Sequence, residues 1–340
     1  MLTLQKATEK FLDEIAASRS PNTHKAYSQA VQHFLDVLKG NGVSPSVPVG
    51  ELAVEWMGWF IQSLHNFAVA TERLYLTALI AFYEYVAAED WAPVNLSALR
   101  RLCRRRARRE AARLPPFPRA EIEKILETVA QAATTPPHDD GFNSLSGTFV
   151  QEALRILRDR ALLYVLADTG LRVSEACGLT RGHLDWAEAR ARVLGKGNRE
   201  AIVRFSERSL RYLRAYLDAR ASLDGQQGRP LSALPVFARH DKGAGGRVLP
   251  LSPRSAEKIV EEWTVAALGE RARGTITPHT FRHYFVTVVL RGSGGNVRLA
   301  QELARHRSIT TTQRYTHLSD DELDRGYHRI FNEPAERAEE

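Results

Sequence analysis

Residues 189–205 read ARARVLGKGNREAIVRF. Apolar and polar side chains alternate on both sides of Gly195-Lys196-Gly197-Asn198, a pattern that is typical of a β-hairpin with a glycine-containing turn. Helical periodicity marks the segments before and after it, RDRALLYVLADTG (158–170) and RSLRYLRAYLDARASL (208–223). The hairpin therefore predicts a mixed domain, mainly α with a small β-sheet, which is an α+β fold.

The N-terminal part of the chain has the pattern of amphipathic helices without any strand signal. The segment SPNTHKAYSQAVQHFLDVLKG (20–40) opens with the start signals Ser20 and Pro21, and its apolar residues recur at helical spacing until Gly40. Another helix is expected near residues 3–17. These segments predict the beginning of a separate helical domain.

Two more amphipathic helices follow a turn that contains prolines. Their sequences are ELAVEWMGWFIQSLHNF (51–67) and TERLYLTALIAFYEYVAAED (71–90). In the second of these, Thr71 is the predicted N-cap, and the predicted apolar face is lined by Leu74, Ala78, Phe82 and Val86 or their neighbours. The N-terminal domain is therefore expected to hold four or five helices.

A strongly basic stretch, RRLCRRRARREAAR (100–113), follows these helices with eight arginines and one acidic residue. Such a charge run is either a solvated linker or a surface that contacts phosphates. As a helix it would place Arg101, Arg105 and Arg108 in one row. The candidate DNA-contacting residues are Arg101, Arg104, Arg105 and Arg108.

The domain boundary is expected beside this stretch, because three prolines in RLPPFPRAEIEKIL (113–126) stiffen the chain and end any preceding helix. The predicted organisation is a helical domain at 1–110, a basic linker at 111–119 and a mixed domain at 120–340.

The composition of the 340-residue chain favours polyanionic partners, because 47 Lys and Arg against 40 Asp and Glu give a formal charge of +7. The two cysteines, Cys103 and Cys177, are too few and too far apart for a disulfide framework or a spaced metal site. No apolar segment approaches the roughly 18 residues that a membrane span needs. We therefore expect a soluble, cytoplasmic protein without a membrane partner.

Two polar positions in the mixed domain have little local structural purpose. In DTGLRVSEACGLT (168–180), Gly170 is a plausible residue after a helix end and Ser174 a plausible N-cap, which places Arg172 in a tight connection beside Glu175. This pair could be a structural ion pair. Lys196 at the hairpin tip could be a solvated turn residue or could be inserted into an active site.

Two further stretches bring histidine, arginine and tyrosine. In TITPHTFRHYFVTVVL (275–290), Thr277 and Pro278 start a helix whose first turn carries His279 and Arg282, where the free backbone N–H groups favour an anion. The other stretch, LARHRSITTTQRYTH (303–317), contains His306 and Tyr315.

Taken together, TGLRVSEACGL, LGKGNREAIV, TPHTFRHYFVT and RHRSITTTQRYTH resemble the motifs of tyrosine recombinases, the phage-integrase and Xer-type family of site-specific DNA strand-exchange enzymes. The likeness extends over nearly the whole chain, and residues 20–90 resemble the family's core-binding domain. It implies a helical core-binding domain followed by a mixed catalytic domain. Arg305 departs from the family, which usually has a glycine just before the second histidine.

The resemblance implies a catalytic set in which Tyr315 attacks a DNA phosphate. The other members are Arg172, Lys196, His279, Arg282 and His306, with Glu175 in support. The guanidiniums of Arg172 and Arg282 would bind the non-bridging oxygens of the phosphate. His279 would accept the phenol proton, and Lys196 would protonate the leaving 5′ oxygen as a general acid. The product would be a 3′-phosphotyrosyl link, with no metal and no cofactor.

The resemblance also implies double-stranded DNA with an inverted-repeat core site as substrate, a homo-tetramer on that DNA, and a possible partner recombinase. The tail DDELDRGYHRIFNEP (320–334) resembles the helix that family members dock on a neighbouring subunit, although a self-packed helix is equally compatible. Two alternatives stay open, a type IB topoisomerase-like strand cleaver and a catalytically silent DNA-binding or synapsis protein of the same fold. A basic RNA- or membrane-surface binder is a more distant third.

Overall fold

The computed structural model of the protein describes residues 2–108, 117–133, 147–195, 199–306 and Thr312. The chain divides into two compact units, residues 1–113 and residues 114–340. The first is helical, and the second combines helices with a three-stranded sheet, which confirms the predicted α+β class. Across the described ranges, no helix has both the length and the apolar character that crossing a bilayer would require.

The first unit is built from five described α-helices. They are α1 (Leu4–Ser18), α2 (Pro21–Gly40), α3 (Val54–Ser63), α4 (Val69–Ala88) and α5 (Leu96–Arg106). Ser20 caps α2 as predicted, because its side chain accepts a hydrogen bond from the Thr23 amide. The rings of Phe34, Phe60 and Tyr83 pack edge to face at the centre of this unit.

The predicted start of α4 is wrong. The helix begins at Val69 with Ala68 as its N-cap, three residues before the predicted cap, and Thr71 lies inside the first turn. The predicted apolar face is largely correct, because Ala78, Phe82 and Val86 are buried, whereas Leu74 is exposed and its neighbour Leu76 is buried instead. The misplaced cap leaves the face nearly unchanged, because the spacing of residues along a helix, and not its first residue, decides which side chains share a face.

The basic stretch is helical only in its first part. Helix α5 ends at Arg106 and Ala107 is extended, so Arg108 does not continue the row that Arg101 and Arg105 begin. Instead the Arg108 guanidinium donates to the Glu72 carboxylate at 2.5 Å and to the carbonyls of Leu64 and Phe67. Arg108 therefore stabilises the helical unit itself.

The second unit places its helices around a short antiparallel sheet. The helices are α6 (Arg119–Gln131), α7 (Gly147–Thr169), α8 (Val173–Cys177), α9 (Glu207–Ala219), α10 (Ala221–Gly225), α11 (Pro253–Leu268), α12 (Pro278–Gly292) and α13 (Val297–Ala304). The strands β1 (Leu184–Asp185), β2 (Arg190–Gly195) and β3 (Arg199–Arg204) pair in that order. The predicted hairpin is confirmed, since β2 pairs with β3 up to Gly195 opposite Arg199.

Helix α7 forms the centre of this unit. It packs against α6, α9 and α12, and its residues 161–166 are almost completely buried. Burial on all sides explains the near-continuous apolar sequence of this helix. The C-terminal end of α7 and the N-terminal part of α12 lie in one region, because Arg282 of α12 donates a hydrogen bond to the Gly170 carbonyl.

Candidate active site

Arg172 lies in the connection between α7 and α8, as the sequence predicts, but the cap is different from the predicted one. Arg172 itself is the N-cap of α8, and Ser174 lies within the helix. The Arg172 backbone N–H donates to Glu175 Oε2 at 3.0 Å, and its Nη1 donates to Glu175 Oε1 at 2.7 Å. The carboxylate of Glu175 thus fixes both ends of Arg172.

The burial of this pair is asymmetric. The Glu175 side chain is 5% exposed, whereas the Arg172 side chain is 47% exposed. Because arginine has five N–H donors in a planar fork, the accessible part of the Arg172 guanidinium can still receive an anion. The arrangement suits a phosphate site open to the outside.

Arg282 is the fifth residue of α12, which begins with Thr277 as N-cap and Pro278 at its first position, as predicted. Its side chain is buried, with Nη1 donating to the carbonyl of Gly170 and Nη2 to the carbonyl of Ala304. Arg282 therefore connects the end of α7, the start of α12 and the end of α13.

Gly170 is essential to this connection because its backbone has φ +59°, a left-handed conformation that glycine adopts readily. A Cβ at this position would also collide with the ring of Phe285. The predicted role of Gly170 as the residue that follows the helix is confirmed, and it brings Arg172 and Arg282 into the same region.

His306 follows α13, and a left-handed residue positions it. Arg305, the C-cap of α13, has φ +57° and ψ +42°, so it adopts the conformation that a glycine would take in this turn. The His306 backbone N–H donates to the Gln301 carbonyl at 3.0 Å, and its Nδ1 lies 2.9 Å from the Thr312 hydroxyl. The arginine therefore preserves a glycine-like turn.

The Arg305 side chain contacts Glu175, the residue that also holds Arg172. Its Nη2 donates to Glu175 Oε2 at 2.8 Å, and the side chain is 12% exposed. Glu175 consequently holds Arg172, three residues earlier in the chain, and Arg305, 130 residues later.

The electrostatic environment keeps His306 neutral. Burial lowers its pKa first, and the charges of Arg282 and Arg172 lower it further, to about 4. A neutral imidazole at pH 7 can donate from one ring nitrogen and accept at the other, which suits hydrogen bonding around a phosphate.

His279 lies on the first turn of α12 and experiences the same charges. Partial burial lowers its pKa, and Arg282 and then Arg172 lower it further. A histidine with a lowered pKa is neutral at pH 7 and can therefore accept a proton. The charges of both arginines thus act on both predicted histidines, which brings Arg172, Arg282, His279 and His306 together.

Two predicted catalytic positions lie outside the described residues, namely Lys196 at the hairpin tip and Tyr315. Among the predicted DNA-contacting arginines, Arg101, Arg104 and Arg105 are exposed on α5, whereas Arg108 is bound within its own unit. Sequence reasoning missed the ion pair of Arg305 with Glu175 and the Thr312 contact to His306. The substitution of a usual glycine was the available signal for Arg305.

Comparison with known proteins gives consistent matches. The sequence pattern of the phage integrase family matches residues 148–322. The chain is 31% identical over 336 residues to tyrosine recombinase XerD of Chlorobaculum tepidum, with 96% of each chain covered. It is also 31% identical over 260 residues to tyrosine recombinase XerC of Myxococcus xanthus, covering 76% of this chain and 75% of that protein.

Solved structures share the fold at lower identity. A post-cleavage complex of XerH with a palindromic difH substrate superposes with a TM-score of 0.67 at 18% identity, covering 96% of this chain and 84% of that one. A lambda integrase dimer bound to a COC′ core site gives 0.61 at 16% identity, with 93% and 95% covered.

Proposed function

The chain belongs to the phage integrase family of tyrosine recombinases, and we propose from this membership that it cleaves and rejoins DNA strands at a specific site through a 3′-phosphotyrosyl intermediate. Four of the six candidate catalytic residues, Arg172, Arg282, His279 and His306, lie within one electrostatic environment in the second unit. The observation that carries the proposal is this convergence of two guanidiniums on two neutral histidines.

In the proposed reaction the Tyr315 oxygen attacks the phosphorus of a DNA phosphodiester, and the bond from phosphorus to the 5′ oxygen breaks. The phenol proton passes to His279, which is available because its lowered pKa leaves it neutral at pH 7. Lys196 donates a proton to the leaving 5′ oxygen. One phosphoester bond replaces another, so a free 5′-hydroxyl can attack the intermediate and rejoin the DNA without an external energy source.

Negative charge develops on the non-bridging oxygens during both steps. Arg172 presents a partly exposed guanidinium to these oxygens, while its Glu175 contacts fix its direction. Arg282 is buried behind the site and adds positive charge from a fixed position. Preorganised charges of this kind stabilise a transition state more than mobile ones because they need no reorientation.

In this proposal His306 donates a hydrogen bond to a non-bridging oxygen of the phosphate. The Thr312 hydroxyl contacts Nδ1 and so restricts the rotation of the ring. Because His306 is neutral at pH 7, its contribution comes from orientation rather than from charge.

The proposed partners are a DNA duplex with an inverted-repeat core site and three further copies of the chain, or of a partner recombinase, in a tetramer. Residues 1–110 act as the core-binding domain and residues 120–340 as the catalytic domain. The exposed arginines Arg101, Arg104 and Arg105 contact phosphates, which makes binding sensitive to salt.

Covalent trapping in cells tests the proposed function. The protein and its Tyr315→Phe variant would be expressed in host cells, which are lysed rapidly in detergent before protein-linked DNA is recovered and its ends are sequenced. We expect adducts that require Tyr315 and accumulate at one short inverted repeat. Scattered Tyr315-dependent adducts would instead indicate a topoisomerase. No adduct from protein that still binds DNA would indicate a silent DNA-binding protein or a recombinase that needs its partner recombinase.

A further inference from the structure

Arg305 has a left-handed backbone conformation that favours glycine, and its side chain contacts Glu175 in the candidate active site. We propose that Arg305 is a positioning residue that neutralises Glu175, so that the charge of Arg172 remains available to the DNA phosphate. This inference rests on the proposed function.

The two carboxylate oxygens of Glu175 accept hydrogen bonds from different donors. Oε2 accepts from the Arg172 backbone N–H at 3.0 Å and from Arg305 Nη2 at 2.8 Å, whereas Oε1 accepts from Arg172 Nη1 at 2.7 Å. With Oε2 held from two sides, the carboxylate plane cannot rotate freely. The direction of the Arg172 guanidinium is therefore set in part by Arg305.

The charges of the cluster lead to the same conclusion. Arg172 and Glu175 alone would form a neutral pair, and the carboxylate would offset the charge that Arg172 presents to a phosphate. With Arg305 included, two cations face one anion and a net charge of +1 remains. Because Glu175 is buried, this compensation acts through a region that water screens poorly.

The side chains of Arg172 and Arg305 differ in how much of their surface is exposed. The Arg172 side chain is 47% exposed and the Arg305 side chain is 12% exposed, so an arriving phosphate meets Arg172. Arg305 accordingly acts through Glu175 and not by contact with the DNA.

The backbone and the bonding of Arg305 argue against a purely structural ion pair. A non-glycine residue in the left-handed region is strained, and glycine would form this C-cap more easily. In addition, Arg305 Nη1 is buried, and no described residue accepts a hydrogen bond from it. A side chain placed only for stability would be expected to use its buried donors.

A double-mutant cycle tests the proposal. Arg305→Gly removes the side chain and suits the left-handed backbone, so the variant is expected to fold. The purified full-length protein would be combined with the duplex recovered by trapping, and the cleavage rate and the DNA dissociation constant would be measured separately. We expect the cleavage rate of Arg305→Gly to fall by about tenfold, the effect of one lost charge-assisted hydrogen bond, with little change in the dissociation constant.

The second arm repeats Arg305→Gly in a Glu175→Gln background. A neutral amide needs no counter-charge, so we expect no further loss of cleavage rate there. Arg305→Lys, which keeps the charge, is expected to recover part of the rate. Arg298→Ala is the matched control, because Arg298 lies on the same helix in an exposed pair with Glu302, and its rate should equal that of the wild type.

Failure of the proposed function and failure of this inference would give different experimental results. A wild-type protein without a Tyr315-dependent adduct contradicts the proposed function. In that case the free energy of unfolding would be measured for the wild type, for Arg305→Gly, for Glu175→Gln and for the double variant. If Arg305→Gly changed that free energy equally in the wild-type and Glu175→Gln backgrounds, the inference would be overturned. With an active wild type, an unchanged rate in Arg305→Gly, or an equal loss with and without Glu175, would overturn it as well.

Discussion

The guanidinium of Arg282 donates a hydrogen bond to the backbone carbonyl of Gly170, a residue 112 positions earlier in the chain. The carbonyl is available to Arg282 because Gly170 turns the chain out of α7 in a left-handed conformation. A buried charged side chain is thereby fixed by a backbone turn, and the position of one catalytic candidate depends on a residue without a side chain.

Gly170→Ala should damage both stability and activity. The added Cβ collides with the ring of Phe285 and strains the positive φ, so we expect a loss of about 1–3 kcal/mol in the free energy of unfolding. Chemical denaturation measures this loss. Gly292→Ala is the control, because a Cβ there meets no atom within 4 Å, and it should leave stability nearly unchanged. Equal stability of the two variants would contradict the account of this turn.

Glu175→Gln should reduce stability by about 2 kcal/mol near pH 7, the usual effect of losing hydrogen bonds between charged groups. Burial raises the pKa of Glu175, but the Arg172 amide, then the charge of Arg305 and the Arg172 guanidinium, lower it below its usual value. A lowered carboxyl pKa stabilises the folded state above about pH 4.5, and this stabilisation is lost as pH falls further.

Urea denaturation of the wild type and of Glu175→Gln at several pH values checks this dependence. The difference in unfolding free energy should be constant between pH 7 and about pH 5. It should shrink below about pH 4.5, where the carboxyl of the unfolded chain takes up a proton while that of the folded state is still charged. A difference that grew as pH fell would show that the buried carboxyl prefers its neutral form.

His306 should titrate far below an ordinary histidine. Burial and the charges of Arg282 and Arg172 lower its pKa to about 4, whereas the unfolded chain binds a proton near pH 6.5. The folded state is therefore destabilised as pH falls from about 6.5 towards 4. Ring nitrogen signals assigned through His306→Gln should show a neutral imidazole from pH 8 to pH 5, and a midpoint near 6.5 would contradict the described environment.

The exposed arginines of α5 should govern salt-dependent binding. Replacing Arg101, Arg104 and Arg105 by glutamine should weaken DNA binding and reduce the slope of log affinity against log salt by up to about 0.9 for each lost phosphate contact. Fluorescence anisotropy at several salt concentrations measures the slope. Arg119→Gln is the control, because Arg119 is an exposed arginine of the second unit paired with Glu123. An unchanged slope in the triple variant would place the phosphate contacts elsewhere.

Local signals predicted the elements well, because caps, turns and periodicity depend on neighbouring residues. Ser20 and Thr277 are the caps that the sequence indicates, and the two strands of the hairpin pair as predicted. Ser174 is not the cap because the helix already begins at Val173, where the Ala176 amide donates to the Arg172 carbonyl and the Arg172 amide donates to the Glu175 carboxylate.

Relationships between distant segments could not be predicted in the same way. The sequence indicated Gly170 and Arg282 separately, but their bond depends on how α7 and α12 pack. Arg108 looked like part of a DNA-contacting row, yet Glu72, 36 residues earlier, holds it within the helical unit. The contact of Arg305 with Glu175 likewise needs the fold, since only the left-handed turn after α13 directs the side chain towards α8.

The nature and position of the covalent link test the central claim most directly. The purified protein would be incubated with its recovered duplex, carrying a label at either the 5′ or the 3′ end of the cleaved strand, and adducts would be separated under denaturing conditions and digested for mass spectrometry. The account predicts that the fragment with the 5′ label stays attached, that the nucleotide is found on Tyr315, and that Tyr315→Phe gives no adduct. Attachment of the 3′-labelled fragment, or of DNA to a residue other than Tyr315, would contradict it.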